Sequence, residues 1–270
     1  MVRYAIISDI HGNLEALKAV FEDIDKQSID RIICLGDTIS KGSHGHECLE
    51  LIKQKCDAVV KGNNDIRYTK SLDEIAMEPD FDYDYFYWTQ KQLTAEDIQY
   101  LRKLPMCCEF YLSGRLVRCF HASPSDFNYS VFNFDSYQEK IKLFEPSDYT
   151  TSNRSDISIY GHTHHISYEK MFGRILVNVG SVGNSLNAIY DENINTSKIM
   201  DTTTAEYVIL SGEDGTKSGD VSIEFRNVSY DKKKELENYS FSPKRFIYED
   251  EILYGLDRNP ERIEKRLDKR

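Results

Sequence analysis

The sequence predicts a mixed α/β (α+β) fold, and two patterns along the chain support this prediction. In the first third, a short β-branched apolar run, a polar turn and an amphipathic stretch follow one another three times, as they do in βαβ units. In the second half, short alternating runs separated by turn residues indicate mainly β structure. A chain of 270 residues can form one large core with insertions, so we expect a single domain over residues 1–270.

The first third contains three predicted strands, over residues 4–8, 31–35 and 58–61. After the first of them, Asn13 is a typical N-cap residue, and the apolar residues that follow recur at three- and four-residue spacing, which predicts a helix. Residues 46–53 also have a helical pattern. Each predicted strand is followed at once by a polar motif, which is where ligands gather in α/β sheets.

The segment 66–104 breaks this pattern because it is rich in acidic and aromatic residues. We interpret it as a small helical cap insertion, in which Thr94 and Asp97 form a capping-box signature for a helix that ends near Lys103. Its aromatic run 81–88 has two interpretations: its rings stack on a nucleobase, or they pack within the cap or a dimer contact.

After the cap, the alternation of apolar and polar residues returns. The predicted strands cover residues 107–112, 116–120, 157–160 and 175–179. The first two form a hairpin that turns at Ser113-Gly114. The charged stretch 250–270 predicts an exposed C-terminal helix.

The composition narrows the classes of function. A net charge of -11 repels polyanions, so we expect no large nucleic-acid interface, and small phosphorylated substrates fit better. No apolar run reaches the roughly 20 residues that cross a bilayer, and the N-terminus has no signal-peptide pattern, which predicts a cytoplasmic protein without a membrane segment. The six cysteines lack C-x-x-C spacing and are expected to be reduced, buried thiols.

Five predicted strand ends carry side chains that bind hard or borderline metal ions. The motifs are Asp9-x-His11, Gly36-Asp37, Gly62-Asn63-Asn64-Asp65, His121 and Gly161-His162-Thr163-His164. Carboxylate oxygens, amide oxygens and imidazole nitrogens together suit Mn, Fe, Zn or similar divalent ions. The sequence therefore predicts a metal centre where the strand ends meet.

This ordered set of motifs resembles the calcineurin-like metallophosphoesterase superfamily, over roughly residues 2–183. The resemblance implies a four-layer αββα sandwich of two mixed β-sheets flanked by helices. It also implies two metal ions, Mn and/or Fe by preference, with Zn or Mg as alternatives. One ion would be held by Asp9, His11, Asp37 and His164, and the other by Asp37, Asn63, His121 and His162. Asp37 would bridge the two.

Two cations about 3.5–4 Å apart can activate a shared water, and the hydroxide then attacks phosphorus in line with the leaving oxygen. We therefore assign catalytic roles to Asp37, Asn64 and His121. The protein-phosphatase motifs G-D-x-x-D-R-G and G-N-H are incomplete, since the arginine is missing and Asn64 replaces the histidine. The chain is more similar to small bacterial phosphodiesterases and to asymmetric diadenosine tetraphosphate hydrolases of the streptococcal type, which implies a phosphodiester or nucleotide polyphosphate substrate.

Several readings stay open at this point. A phosphomonoesterase for small metabolites is the nearest chemical rival, and a catalytically silent binding module of the same fold or a nuclease are further alternatives. Asn64, Arg67, Lys41 and His44 are candidate substrate contacts. Asp65 is expected to orient a ligand histidine, and residues 178–183 to support the loop of His162 and His164. The sequence leaves the oligomeric state undecided.

Overall fold

The computed structural model describes residues 1–78, 81–186, 188–189, 203–239 and 241–258. The described strands are β1 (Val2–Ile7), β2 (Arg31–Cys34), β3 (Ala58–Val59), β4 (Cys107–Leu112), β5 (Arg115–Phe120), β6 (Ile157–Tyr160), β7 (Ser167–Met171), β8 (Arg174–Asn178), β9 (Ala188–Ile189), β10 (Ala205–Gly212), β11 (Ser222–Val228) and β12 (Leu256–Asp257). The described helices are α1 (Leu14–Ile24), α2 (Gly45–Lys55), α3 (Asn63–Arg67), α4 (Leu72–Ile75), α5 (Tyr83–Gln90), α6 (Ala95–Lys103), α7 (Tyr137–Ile141), α8 (Lys232–Asn238) and α9 (Arg245–Tyr254), with a 3₁₀ turn at Lys142–Phe144.

Two five-stranded mixed sheets form the centre of the fold. The first has the order β11-β10-β1-β2-β3, in which β1, β2 and β3 are parallel and β10 and β11 are antiparallel to their neighbours. The second has the order β4-β5-β6-β8-β7, with β5, β6 and β8 parallel and the edge strands antiparallel. Parallel strands end at the same edge of a sheet, so each sheet gathers its strand-end loops on one side.

The two sheets pack face to face through an apolar layer that includes Ile6, Leu35 and Val208 from one sheet and Val117 and Ile159 from the other. Helix α1 covers the outer face of the first sheet, where its residues at three- and four-residue spacing contact that sheet. The outer face of the second sheet is covered by the chain around α7 and the 3₁₀ turn. The predicted αββα sandwich is confirmed.

Local sequence signals account for several element boundaries. Asn13 Oδ1 accepts a hydrogen bond from the backbone N–H of Ala16 (3.0 Å), which is the expected N-cap of α1. Thr94 and Asp97 form the expected reciprocal capping box of α6. Ser113 and Gly114 both have positive φ, as a two-residue hairpin turn between β4 and β5 requires.

Of the helix predicted for the charged stretch 250–270, residues 250–254 are helical, whereas residues 255–258 are not. Helix α9 begins earlier, at Arg245, and ends at Tyr254, where Gly255 takes a left-handed conformation that stops it. The helix is also not simply exposed, because Glu251 and Ile252 are buried. Residues 259–270, which complete that prediction, lie outside the described residues.

The aromatic run 81–88 packs partly within the cap and partly against residues outside it. The ring of Phe86 stacks on Tyr68 with 5.0 Å between ring centroids, and Trp88 meets the ring of Tyr239 edge-on at 5.3 Å. The buried hydroxyl of Tyr85 accepts a hydrogen bond from the backbone N–H of Lys41 (2.6 Å). These contacts favour the packing interpretation for the three rings, whereas stacking of a nucleobase on this run stays a prediction.

Across the described residues, no helix has both the length and the apolar character that a bilayer crossing needs. All six cysteines are unpaired; Cys34, Cys48 and Cys119 are buried as predicted, whereas Cys56, Cys107 and Cys108 are only partly buried. The cytoplasmic location stays a prediction.

Glu235 on α8 provides a test of the C-terminal packing through the pH dependence of stability. Burial raises the pKa of its carboxyl to about 7, although a hydrogen bond from the hydroxyl of Tyr248 (3.3 Å) favours the charged form. The folded protein therefore keeps this proton at pH values where the unfolded chain has released it, so stability falls as pH rises from about 4.5 to about 7. Because glutamine does not titrate, the unfolding free energy of Glu235→Gln minus that of wild type should increase by about 2–3 kcal/mol as pH rises from 5 to 8.

Urea unfolding at several pH values measures this difference. Glu237→Gln is the matched control, because Glu237 lies on the same helix with its side chain 65% exposed, and its difference from wild type should not change with pH. A Glu235→Gln difference that stays constant over this range would contradict the prediction.

Candidate metal centre

The predicted ligands meet at the strand ends, where the two sheets face each other. Asp9 and His11 follow β1, Asp37 follows β2, Asn63 begins α3 after β3, His121 follows β5, and His162 and His164 follow β6. The two carboxylates and the four histidines are buried, with at most 8% exposure, and Asn63 is half-buried. All the sequence motifs that we assigned to metal binding therefore converge in one place.

Five of these residues have backbone conformations that L-amino acids rarely adopt. They are Asp9 (φ 54°), His11 (φ 53°), Asp37 (φ 51°), His162 (φ 65°) and His164 (φ 60°). Each such conformation costs about 1–3 kcal/mol and persists only when surrounding contacts hold it. Here the backbone N–H of His11 donates to Asp37 O (2.9 Å), and that of Asp9 donates to Gly36 O (3.0 Å). Strain concentrated on these loops is typical of a functional site.

The side chains form two groups that share one carboxylate. In the first group, His164 Nε2 lies 3.0 Å from His11 Nε2 and 3.2 Å from Asp9 Oδ1. In the second group, Asn63 Oδ1 lies 2.9 Å from His121 Nε2 and 3.1 Å from His162 Nδ1. Asp37 Oδ2 lies between the groups, 3.8 Å from His11 Nε2 and 3.5 Å from His121 Nε2. Asp37 is thus adjacent to both groups, and the assignment of the individual ligands to two ions stays a prediction.

Hydrogen bonds on the far side of the rings fix which nitrogens face the centre. His121 Nδ1 lies 3.0 Å from Leu35 O, and His164 Nδ1 lies 2.7 Å from Asn184 O. A carbonyl oxygen can only accept, so each Nδ1 carries the proton and each Nε2 presents a lone pair to the centre. Burial also lowers the pKa of His164 to about 3, which keeps its ring neutral.

The oxygen and nitrogen atoms that face this centre are arranged as ligands of metal ions and not as partners of one another. Asp9 Oδ1 is buried and has no hydrogen-bond partner, although it lies 3.7 Å from His11 Nε2 and 3.2 Å from the lone pair on His164 Nε2. Acceptor atoms that face one another in a buried space repel unless a cation lies between them. Oxygen and imidazole donors in these numbers suit Mn, Fe or Zn. Clusters of three ligand atoms within 4.8 Å of one another occur at Asp9, His11 and His164 and at Asp9, Asp37 and His121.

Asp65 supports the centre through the backbone and not through a histidine. Its carboxylate accepts hydrogen bonds from the N–H groups of Asp37 (2.8 Å), Thr38 (3.0 Å) and Gly62 (2.9 Å). The expectation that it orients a ligand histidine is therefore wrong, because three backbone donors occupy its oxygens. Burial and the nearby charge of Asp37 raise the pKa of Asp65 to about 6.

Asn64 contacts the shared carboxylate with both of its donors. Its backbone N–H donates to Asp37 Oδ1 (2.8 Å), and its side-chain Nδ2 donates to Asp37 Oδ2 (2.6 Å). An amide can make this contact without changing its charge, whereas the histidine of the protein-phosphatase motif would titrate. Asn64 thus holds the carboxylate that the two ligand groups share.

The basic side chains proposed as substrate contacts have protein partners. Lys41 Nζ donates to Asn184 Oδ1 (2.6 Å) and Glu251 Oε2 (2.9 Å), and Arg67 forms an ion pair with Glu78 (3.2 Å). His44 occupies the N-cap position of α2, and its backbone N–H donates to Gly12 O (3.1 Å). Substrate contact by Lys41, Arg67 or His44 stays a prediction.

The sequence reasoning missed several residues that hold the ligands in place. Ser8 Oγ donates to Asp9 Oδ2 (2.6 Å), and Ser130 Oγ lies 2.9 Å from His162 Nε2. Asn178 Nδ2 donates to Gly161 O (2.7 Å), which confirms that the 178–183 loop supports the loop of His162 and His164. Ser8 precedes a ligand directly and could have been noticed for that reason, whereas no local signal marks Ser130.

The variant Gly62→Ala tests whether the backbone at Gly62 must lie close to Asp37. A Cβ atom at this position would overlap the backbone N and Oδ1 of Asp37, although the φ of -93° suits any residue. Gly62→Ala should therefore displace the shared carboxylate, and we expect metal retention and turnover to fall at least about tenfold, as loss of ligand support typically does. Metal content after gel filtration and kcat measure this effect.

Gly173→Ala is the matched control for Gly62→Ala. Gly173 has positive φ but no atom within 4 Å of an added Cβ, so the variant should lose about 1 kcal/mol of stability while keeping its metal. Equal metal content in the two alanine variants would contradict the steric argument.

Comparisons with known proteins agree with the fold. Residues 2–205 match the family model described as the calcineurin-like phosphoesterase superfamily domain. An uncharacterized protein of Methanocaldococcus jannaschii is 31% identical over 186 residues, which cover 66% of this chain and 69% of that protein. The crystal structure of a metallophosphoesterase from Sphaerobacter thermophilus has a TM-score of 0.69 at 24% identity, and a hypothetical protein from Pyrococcus horikoshii OT3 has a TM-score of 0.75 at 18% identity. Each structural comparison covers 94% of this chain and 99% of the other.

A sandwich of two mixed sheets that gathers carboxylate, amide and imidazole donors at its strand ends has the architecture of a metal-dependent phosphoesterase. With the match over residues 2–205, the chain belongs to the calcineurin-like phosphoesterase superfamily. The family is one of metal-dependent phosphoesterases, and the clusters of candidate metal ligands in this chain fit that class.

Proposed function

We propose that this protein uses two metal ions to hydrolyse phosphodiester or nucleotide polyphosphate bonds, with diadenosine tetraphosphate as the model substrate. The observation that supports this most strongly is the sharing of Asp37 Oδ2 by two groups of ligand atoms, one around His11 and one around His121. A bridging carboxylate between two such groups is the arrangement that a two-metal hydrolase needs.

The roles of the residues follow from their contacts. Asp9, His11, Asp37 and His164 would hold one ion, and Asp37, Asn63, His121 and His162 the other, with Mn and Fe preferred over Zn and Mg. When bound, such a pair of ions supplies a hydroxide near neutral pH and neutralises charge on the phosphoryl group. Asn64 keeps Asp37 Oδ2 in its bridging position.

Position 64 holds an asparagine and not a titrating histidine, and this difference helps to indicate which class of phosphate ester the protein hydrolyses. A monoester with a poor leaving group needs a proton donor, whereas an anhydride or an activated diester depends on one less. Asn64 cannot donate a proton in this way, and its amide is already bonded to Asp37. This favours diesters and nucleotide polyphosphates over the phosphomonoesterase alternative.

Turnover of three substrates after chelation and metal re-addition tests the proposal. The substrates are bis(p-nitrophenyl) phosphate, p-nitrophenyl phosphate and diadenosine tetraphosphate, each with Mn, Fe, Zn or Mg. We expect metal-dependent cleavage in which the diester or the dinucleotide is preferred. Preference for p-nitrophenyl phosphate would favour a phosphomonoesterase, and no turnover with any metal would favour a silent binding module.

A further inference from the structure

A buried polar network joins the metal centre to the C-terminal helix α9. His164 Nδ1 lies 2.7 Å from Asn184 O and 2.9 Å from Asn184 Oδ1. Asn184 Nδ2 donates to Glu251 Oε2 (2.8 Å), and Lys41 Nζ donates to both Asn184 Oδ1 and Glu251 Oε2. Asn184 is 1% exposed and Glu251 6% exposed. In the sequence, Glu251 lies 67 positions after Asn184.

The partners fix the orientation of the Asn184 amide. A lysine amine can only donate and an ionised carboxylate can only accept, so Oδ1 must face Lys41 and Nδ2 must face Glu251. The oxygen that faces Lys41 is therefore also the one beside His164 Nδ1. If the amide turned over, its NH₂ group would face Lys41 and His164, and the contacts of Oδ1 with both would be lost, which would leave His164 Nδ1 with the backbone oxygen of Asn184 alone.

We propose that Glu251 is a positioning residue for the metal ligand His164 and that it acts through Asn184. This inference rests on the proposed metal centre. Glu251 locks the amide of Asn184, and Asn184 in turn holds the His164 ring in the tautomer that directs Nε2 at Asp9 and His11. The partners of metal-binding histidines commonly affect metal affinity nearly as much as the ligands do.

Glu251, the proposed positioning residue, lies in the C-terminal part of the chain. The family match ends at residue 205, whereas Glu251 lies on α9. A buried carboxylate costs stability unless it is paired and hydrogen-bonded. Lys41 supplies that pairing from the loop that follows Asp37, so the network ties α9 to two loops of the metal centre at once.

Metal affinity of folded Glu251 variants tests the proposal. Glu251→Gln keeps the size of the side chain and removes the charge, whereas Glu251→Ala removes the contact altogether. We expect the affinity for Mn²⁺, measured by titration of chelator-treated protein, to fall about 10-fold for glutamine and up to about 100-fold for alanine. The visible absorption of bound Co²⁺ should also change, because the ring of His164 is less constrained.

Glu249→Gln is the control, since Glu249 lies on the same helix and pairs with Arg245 at the surface (3.6 Å). It should bind Mn²⁺ and Co²⁺ as wild type does. If Glu251 only docks the helix, its variants will have a lower Tm without metal but will bind Mn²⁺ within twofold of wild type, and that result would overturn the proposal. Failure of the wild type itself to bind metal would refute the metal centre and the positioning role together.

Discussion

Replacement of Asp37 by asparagine is expected to lower kcat/KM by about 10³-fold or more, which corresponds to the loss of several kcal/mol of transition-state stabilisation. Asp37 Oδ2 is the atom that both ligand groups share, and the carboxylate is 1% exposed. An asparagine has nearly the same shape but lacks the negative charge that two neighbouring cations require. Metal-dependent turnover of the diester or dinucleotide measures the effect.

Two further measurements make the Asp37→Asn result decisive. Circular dichroism establishes that the variant is folded, and Asp25→Asn provides a matched control because the Asp25 side chain is 61% exposed and pairs with Lys55 at the surface. The control should retain wild-type turnover. A folded Asp37→Asn variant with turnover within tenfold of wild type would be incompatible with a bridging role.

Replacement of Arg118 by methionine is expected to lower the stability of the fold strongly. The Arg118 side chain is completely buried, and its guanidinium donates to Glu109 Oε1 (2.7 Å) and to the carbonyl oxygens of Glu145 (2.8 Å) and Asn153 (2.6 Å). Removing it leaves these acceptors without their donor. We expect a loss of about 3–5 kcal/mol of unfolding free energy, as for other broken buried ion pairs.

Urea unfolding measures the loss for Arg118→Met. Arg154→Met is the control, since the Arg154 side chain is 57% exposed and pairs with Glu145 at the surface, and it should change stability by no more than about 0.5 kcal/mol. A loss below about 1 kcal/mol for Arg118→Met would mean that the hydrogen bonds from its guanidinium to the segment 144–153 do not stabilise the fold.

The ligand positions could be predicted from the sequence because each belongs to a local pattern. Asp9, Asp37 and Asn63 each follow an apolar run closely, and parallel strands bring such ends together without any knowledge of the rest of the fold. The four-layer arrangement was available only through the family resemblance. Periodicity alone indicated βαβ units and a mainly β second half, and it does not determine how two sheets pack.

Strand β10 shows what periodicity does not reveal. It pairs with β1 in the middle of the first sheet, and all of its residues from Ala205 to Gly212 are buried. A strand buried on both faces lacks the apolar–polar alternation that identifies half-buried strands. Its pairing partner also lies about 200 residues earlier in the chain, for example Val2 opposite Gly212.

The pairing of Glu251 with Lys41 was not predicted, for a related reason. Charge normally indicates exposure, so the stretch 250–270 was expected to form an exposed helix, and Lys41 was considered only as a candidate substrate contact. The two side chains neutralise each other across 210 positions of sequence, and no local pattern contains that information. Buried pairs of this kind become visible only when the fold is known.

Anomalous diffraction from crystals of the Mn²⁺-loaded protein tests most directly whether two metal ions share Asp37. We expect two anomalous peaks about 3.5–4 Å apart, one beside His11 and His164 and the other beside His121 and His162, with Asp37 Oδ2 between them. A single peak, or two peaks without Asp37 between them, would contradict the account.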